Sequence, residues 1–164
     1  MENYGCYIIK NSFFDKFNDI YLKGNKNENR PHYCCFSDTE NDGLYWLIPM
    51  SHQIGKYENI IRIRKNLHKP CDILHILKIG GNKSALLIQD MFPITENYIE
   101  RAYTINSVPL IIKSKKDIEI IARKSRNIYR LIHRNVKLNP TQPNVLQIKN
   151  KLLAELYEQK LQTV

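Results

Sequence analysis

Apolar and polar positions follow two different periods along this chain, and the change falls near Pro93. Upstream, short apolar runs separated by polar turns predict mostly strands; downstream, apolar residues three or four apart predict helices. Tyr7-Ile8-Ile9 reads as a short strand, and Ser12–Leu22 has helical spacing through Phe13, Phe17, Ile20 and Tyr21. Gly24-Asn25-Lys26-Asn27-Glu28-Asn29 reads as a polar, mobile loop. Arg30–Phe36 and Leu44–His52 flank a polar turn at Thr39–Gly43, the pattern of a β-hairpin. Asn59–Arg64 alternates Ile61 and Ile63 with Arg62 and Arg64, which predicts a segment with one basic face. Cys71–Ile79 and Ser84–Asp90 are apolar runs separated by Gly80-Gly81-Asn82-Lys83, a strong turn signal. Tyr103–Ile112 can supply a last strand. Ser114 and Asp117 then have capping-box spacing, opening a helix to about Arg134 with an apolar stripe of Ile118, Ile121, Ala122, Ile128, Leu131 and Ile132. Asn139–Pro143 breaks it, and Asn144–Leu161 is a second amphipathic helix.

The expected architecture is α+β: a compact, highly curled antiparallel sheet or small barrel decorated by helices, one domain over residues 1–164. Leu44–Met50 is apolar on both faces, as a sheet packed on both sides requires. Against 16 acidic residues stand 25 Lys and Arg, a formal charge of +9 that favours an anionic partner. No apolar run approaches the roughly 18 residues of a membrane span, and the start, Met1–Gly5, lacks the pattern of a secretory signal. A cytoplasmic protein is expected. Cys6, Cys34, Cys35 and Cys71 then read as small buried hydrophobes, since the adjacent Cys34 and Cys35 point to opposite faces of a strand.

Chemistry concentrates where the hairpin ends. An apolar run stops at Ser51, His52 and Gln53, with Lys56 close behind. Strand neighbours point apart, so Ser51 and His52 make a poor nucleophile–base pair. Metal-free RNA cleavage asks for something else. The ribose 2′-OH attacks, a base takes its proton, donors hold the phosphate, and an acid protonates the leaving 5′-oxygen. Ser51 can donate to a phosphate oxygen, Lys56 can neutralise it, and an imidazole such as His52 suits proton transfer near neutrality. Lys115, Lys116, Arg123, Lys124, Arg126, Arg130 and Arg134 make the first long helix basic, while Arg30, Arg62 and Arg64 are expected to add charge on the sheet. Tyr33, Tyr45, Tyr57 and Tyr129 could stack on unpaired bases. A zinc site at His68, Cys71 and His75 is rejected, because Cys71 and His75 on one strand would lie roughly 13 Å apart. Neither a metal nor another cofactor is implied. The competing readings are a non-catalytic RNA-binding module on the same fold and an assembly protein using its last helix.

Several segments carry a resemblance: the Tyr7–Ile9 strand with its helix, Arg30-Pro31, Pro49-Met50-Ser51, Met91-Phe92-Pro93-Ile94 after Leu86-Leu87-Ile88, and Asp117–Ile132 with Ala122-Arg123-Lys124-Ser125. Across most of residues 6–135 the chain resembles the endoribonuclease toxins of type III toxin–antitoxin systems, the ToxN/AbiQ/CptN group, and within it is most like CptN. The resemblance implies a barrel-like sheet similar to the MazF/Kid toxins. It implies metal-independent cleavage of A-rich cellular or phage RNA to a 2′,3′-cyclic phosphate. The implied partner is a small repeated antitoxin RNA folded as a pseudoknot, held in a closed protein–RNA hetero-oligomer. Ser51 matches the family's catalytic serine, and Arg30 stands where its groove is basic. The family places Pro and Lys directly after that serine; here His52 to Gly55 intervene before Lys56, so His52 is expected to share the lysine's work. Phe13 replaces an expected tyrosine. The expected catalytic set is Ser51, His52 and Lys56. The expected RNA contacts are Arg30, His32, Tyr33, Gln53, Tyr57, Lys113, Lys115, Lys116, Arg123 and Lys124.

Overall fold

The computed structural model describes residues 1–25, 27 and 30–162. Its centre is the hairpin. Strand β2 (His32–Ser37) and the long strand β3 (Leu44–Ser51) pair antiparallel, and nearly every residue of both is buried. A register shift between Cys34 and Phe36 bulges β2 near the turn, which locally increases twist. The other edge of β3 is divided. Its first half pairs with β6 (Phe92–Thr95), and its last two residues pair with β5 (Asn82–Leu86), the return arm of a hairpin with β4 (His75–Ile79). Beyond β2 lie β1 (Cys6–Ile9) and β7 (Ile99–Ala102), giving the order β4-β5-β3-β2-β1-β7. Among the described residues β4 and β7 do not pair, so the sheet stays open and the expected closed barrel does not form.

Among the described residues four α-helices pack around this sheet. Helix α1 (Asn11–Lys16) is shorter than its apolar spacing predicts. Phe13 and Phe17 are buried, but the chain leaves helical geometry at Phe17, and Ile20 is 84% exposed. Helix α2 (Ile54–Asn66) occupies the segment whose alternation suggested a strand. Its inward positions, Ile54, Tyr57 and Ile61, have helical spacing and pack with Leu74, Ala85 and Leu87. Ile63 is 47% exposed, so the Ile61/Ile63 alternation described no common face. Arg62 and Arg64 therefore decorate a helix rather than the sheet.

Helix α3 (Lys115–His133) begins where the sequence predicts. Ser114 is its N-cap, its Oγ accepting the Asp117 N–H at 3.3 Å. The short strands β8 (Thr104–Ile105) and β9 (Val108–Pro109) replace the single late strand expected over residues 103–112. Helix α4 (Val145–Gln162) completes the main core through Val145, Ile148 and Leu152. Burial pushes the Cys6 and Cys34 thiols up to about 12 and Cys35 up to about 11, as expected of inert core cysteines. The predicted loop from Gly24 falls partly outside the described residues, at Lys26, Glu28 and Asn29. Asn25 is buried and donates its side-chain amide to the Ile9 carbonyl and to Asn11 Oδ1, tying the segment to β1 and α1.

Candidate active site

Register places the first members of the site. His32 pairs with Pro49, and the Met50 N–H donates to the Pro31 carbonyl at 3.1 Å. One further step along that register sets Arg30 opposite Ser51. On the other side of β3, Ser51 pairs with Ala85. Residues two apart on a strand share a face, so Arg30, Ser51, Ala85 and Leu87 lie on one face. Tyr57 packs there with Ala85 and Leu87, which brings the N-terminal turn of α2 beside Ser51.

Ser51 is 5% exposed, and its Oγ accepts the Gln53 N–H at 3.3 Å as the chain turns into α2. The hydroxyl proton has no acceptor among the described residues. Helix α2 has no side-chain cap; its Ile54 N–H donates to the His52 carbonyl at 2.8 Å, and the positive end of its dipole lies beside Ser51. Lys56 is exposed, its Nζ 5.5 Å from the centre of the Tyr57 ring.

Arg30 is only 9% exposed, yet its guanidinium makes no hydrogen bond or ion pair with any described residue. Burial pulls its pKa down, opposed by Tyr57 and Asp90. Asp90 closes the 3-10 turn Ile88–Asp90, whose entry is pinned to β3 by Leu87 N–H donating to the Pro49 carbonyl at 2.9 Å. It is 5% exposed, and its carboxylate also lacks a hydrogen bond or ion-pair partner among the described residues. Burial raises its pKa, while Lys23, Arg30 and Lys56 pull the other way. Three cations and one carboxylate thus share an under-bonded corner with two hydroxyls. That composition suits an anion with a hydroxyl beside it.

Not all the sequence-predicted residues converge here. His52 is exposed on the opposite face from Ser51, lining a cavity of about 270 Å³ with Met50, Ser84, Asn82 and Tyr103. Gln53 is exposed at the N-cap of α2, beside Ser51. His32 and Tyr33 are core residues, 0% and 1% exposed, and cannot meet RNA. His32 sits between Phe14 and Phe92, with Nε2 3.3 Å from the Lys23 carbonyl; burial holds its pKa at about 4, so the ring is neutral. Both were misassigned because β2 is buried on both faces.

The basic helix divides similarly. Lys124 donates to the Leu74 carbonyl at 2.6 Å, and Arg123 lies 3.5 Å from Asp72. Lys124 thus fastens α3 to the approach of β4, while the Arg123 side chain stays 59% exposed. Lys113, Lys115 and Lys116 are exposed at the start of α3. Cys71 precedes β4 rather than lying on it, so the strand spacing used against a zinc site does not apply, and His75 Nε2 meets Asp117 Oδ1 at 2.9 Å. Sequence reasoning missed Asp90, for which the only signal was a carboxylate ending an apolar run.

No protein-family model and no curated protein matches the chain. Among solved structures, AbiQ is similar, a lactococcal anti-phage endoribonuclease belonging to the type III toxin–antitoxin system. The two share 14% identity, with a TM-score of 0.60 over 96% of this chain and 99% of that one. The fold is shared along essentially its whole length. Among the described residues no helix is long and apolar enough to cross a membrane.

Proposed function

We propose that the protein is an endoribonuclease toxin of the type III kind, cleaving A-rich RNA without a metal ion. The likeness in fold to AbiQ supports the class, and the narrower likeness to CptN rests on the sequence segments alone. The observation that carries the reading is the largely buried Arg30 guanidinium, unpaired among the described residues, on the same face as Ser51 near the start of α2. A largely buried charge without a partner is costly; a phosphodiester offsets that cost.

In this reading Arg30 and the positive end of the α2 dipole stabilise the non-bridging oxygens, and Ser51 donates to one of them. The substrate's 2′-OH attacks phosphorus, and Lys56 gives a proton to the departing 5′-oxygen. The products are a 2′,3′-cyclic phosphate and a 5′-hydroxyl. His52, on the other face, is outside this constellation. The partner is a small repeated antitoxin RNA, a pseudoknot that the same site processes and that then blocks it in a closed protein–RNA assembly. Cellular or phage mRNA is the target, in the cytoplasm. Exposed Lys113, Lys115 and Lys116 offer further backbone contacts.

The test is incubation of purified, RNA-free protein with an A-rich RNA in excess EDTA. Cyclic-phosphate ends should form, and Ser51→Ala should lower the rate by roughly 100-fold or more, the scale of losing one preorganised donor. Intact RNA rejects the reading, and products ending in a 3′-hydroxyl reject attack by the 2′-OH.

A further inference from the structure

Asp90 poses a problem that the ribonuclease reading does not solve. A carboxylate beside an anion-binding site repels the phosphate it is meant to receive. It would be tolerable as a structural counter-ion, but a counter-ion touches its cation. No ion pair within 4 Å joins Asp90 to Lys23, Arg30 or Lys56. Nor does it accept a hydrogen bond from the backbone of any described residue. Asp90 and Arg30 are each about nine-tenths buried or more, and both are unpartnered among the described residues. Two opposite charges, largely buried yet not joined as an ion pair, can be bridged by a ligand that has both an anionic and a protic group. A ribose-phosphate link at the moment of attack has that character: a charged phosphate, and a 2′-hydroxyl about to lose its proton.

We propose that Asp90 is the general base of the cleavage reaction, taking the proton from the ribose 2′-OH; this rests on the ribonuclease reading. The 2′-O–H bond breaks, its proton passing to a carboxylate oxygen of Asp90. Its electron pair forms the 2′-O–P bond. The P–O5′ bond then breaks, and the Lys56 ammonium supplies the proton for the 5′-oxygen. No oxidant, reductant or metal enters the balance. Burial favours this use, because a carboxylate raised above its ordinary range is a stronger base. The groups facing Asp90 are Lys23 from the segment after α1, Arg30 ahead of β2 and Lys56 from α2.

The signature separates a base from a structural carboxylate. With wild-type protein, cleavage in EDTA should show an acid limb above the usual carboxylate range near pH 4. Asp90→Asn, nearly isosteric, should cleave roughly 100-fold more slowly or worse and lose that limb. It should bind an uncleavable 2′-O-methyl RNA at least as tightly as wild type, because a repulsive charge is gone. Asp90→Ala with added formate supplies a second measurement, with partial recovery of rate expected. If wild type cleaves but Asp90→Asn keeps a rate within threefold and the same acid limb, Asp90 is not the base and the ribonuclease reading survives. If Asp90→Asn instead loses affinity for the 2′-O-methyl RNA in step with its rate, the residue is structural. If wild type leaves RNA intact, both fall together.

Discussion

Asp38 and Asp90 are buried almost equally, 6% and 5% exposed, and their surroundings could hardly differ more. Asp38 follows β2 and is saturated. Its Oδ1 accepts from the Glu40 and Asn41 backbone N–H groups and from Asn41 Nδ2; its Oδ2 accepts from Trp46 Nε1 at 3.0 Å and meets Lys149 Nζ at 3.4 Å. Burial alone would raise its pKa, but these donors outweigh burial and hold it below the ordinary value. Asp90 has no such donors among the described residues, and burial keeps its pKa raised. Satisfied buried charge marks architecture, where the hairpin turn, α3 and α4 are fastened together. Unsatisfied buried charge marks the place where the protein waits for something else.

The largest effect expected from this contrast is on stability. Asp38→Ala strands the Trp46 N–H and the Lys149 ammonium, which is 10% exposed and lies 3.1 Å from His133 Nε2. Removing one partner from a buried ion pair costs about 3–5 kcal/mol. Urea unfolding should therefore show a large fall in midpoint with an unchanged slope. A loss under about 1 kcal/mol, the scale of an exposed pair, would break the comparison, since Asp38 would then be no more structural than Asp90.

A second effect is acid sensitivity, and its sign is fixed by His32. The folded pKa is depressed to about 4 from an unfolded value near 6.5. Its contribution is complete above pH 6.5 and is lost as pH falls toward 4, by about 3 kcal/mol in all. Half-buried His75, lowered chiefly by burial, adds in the same direction. Asp38, whose pKa is depressed, keeps its contribution down to the ordinary carboxylate range and loses it only below about pH 4. Unfolding midpoints from pH 7.5 to 3 should thus fall in two stages. His32→Gln should flatten the first and leave the second. A single fall below pH 4 in the wild type would show that His32 is not held neutral.

The framework was legible in sequence wherever burial imposed a period. The β2–β3 hairpin was found because both of its apolar runs are buried, and α3 because Ser114 and a continuous stripe mark it. Helix α2 was not, because so little of it is buried that Ile61 and Ile63 set a false rhythm. His32 and Tyr33 look like ligand contacts in the sequence, which cannot tell an outward face from a second inward one. Ser51 was found because an apolar run stopped there. The rest of its corner was hidden for a topological reason. Arg30 reaches it through the register of β3 with β2, and Asp90 through the turn that carries the chain from β5 to β6 along the other edge of β3. Neither relation is written in local spacing. Lys124 failed in the reverse sense, its long stem bringing an apparently solvated charge onto the Leu74 carbonyl.

The smallest expected effect has the sharpest sign. Because burial raises the Asp90 pKa, the folded protein prefers this carboxyl neutral, and its charge at pH 7 opposes folding. Asp90→Asn should therefore stabilise the protein, by about 0.5–1 kcal/mol, the scale of gains where function holds a site away from its stability optimum. The gain should shrink as pH falls through the folded pKa, because the wild-type carboxyl is then neutral as well. Asp38→Asn must show the opposite sign at pH 7, since it exchanges a carboxylate held by charged and neutral donors for an amide that cannot accept on its nitrogen side. Unfolding midpoints of the two variants, measured side by side at pH 7 and pH 4.5, decide it. If Asp90→Asn proves destabilising at pH 7, its carboxylate is holding the fold together after all, and an unpaired charge in this chain is no guide to where a ligand binds.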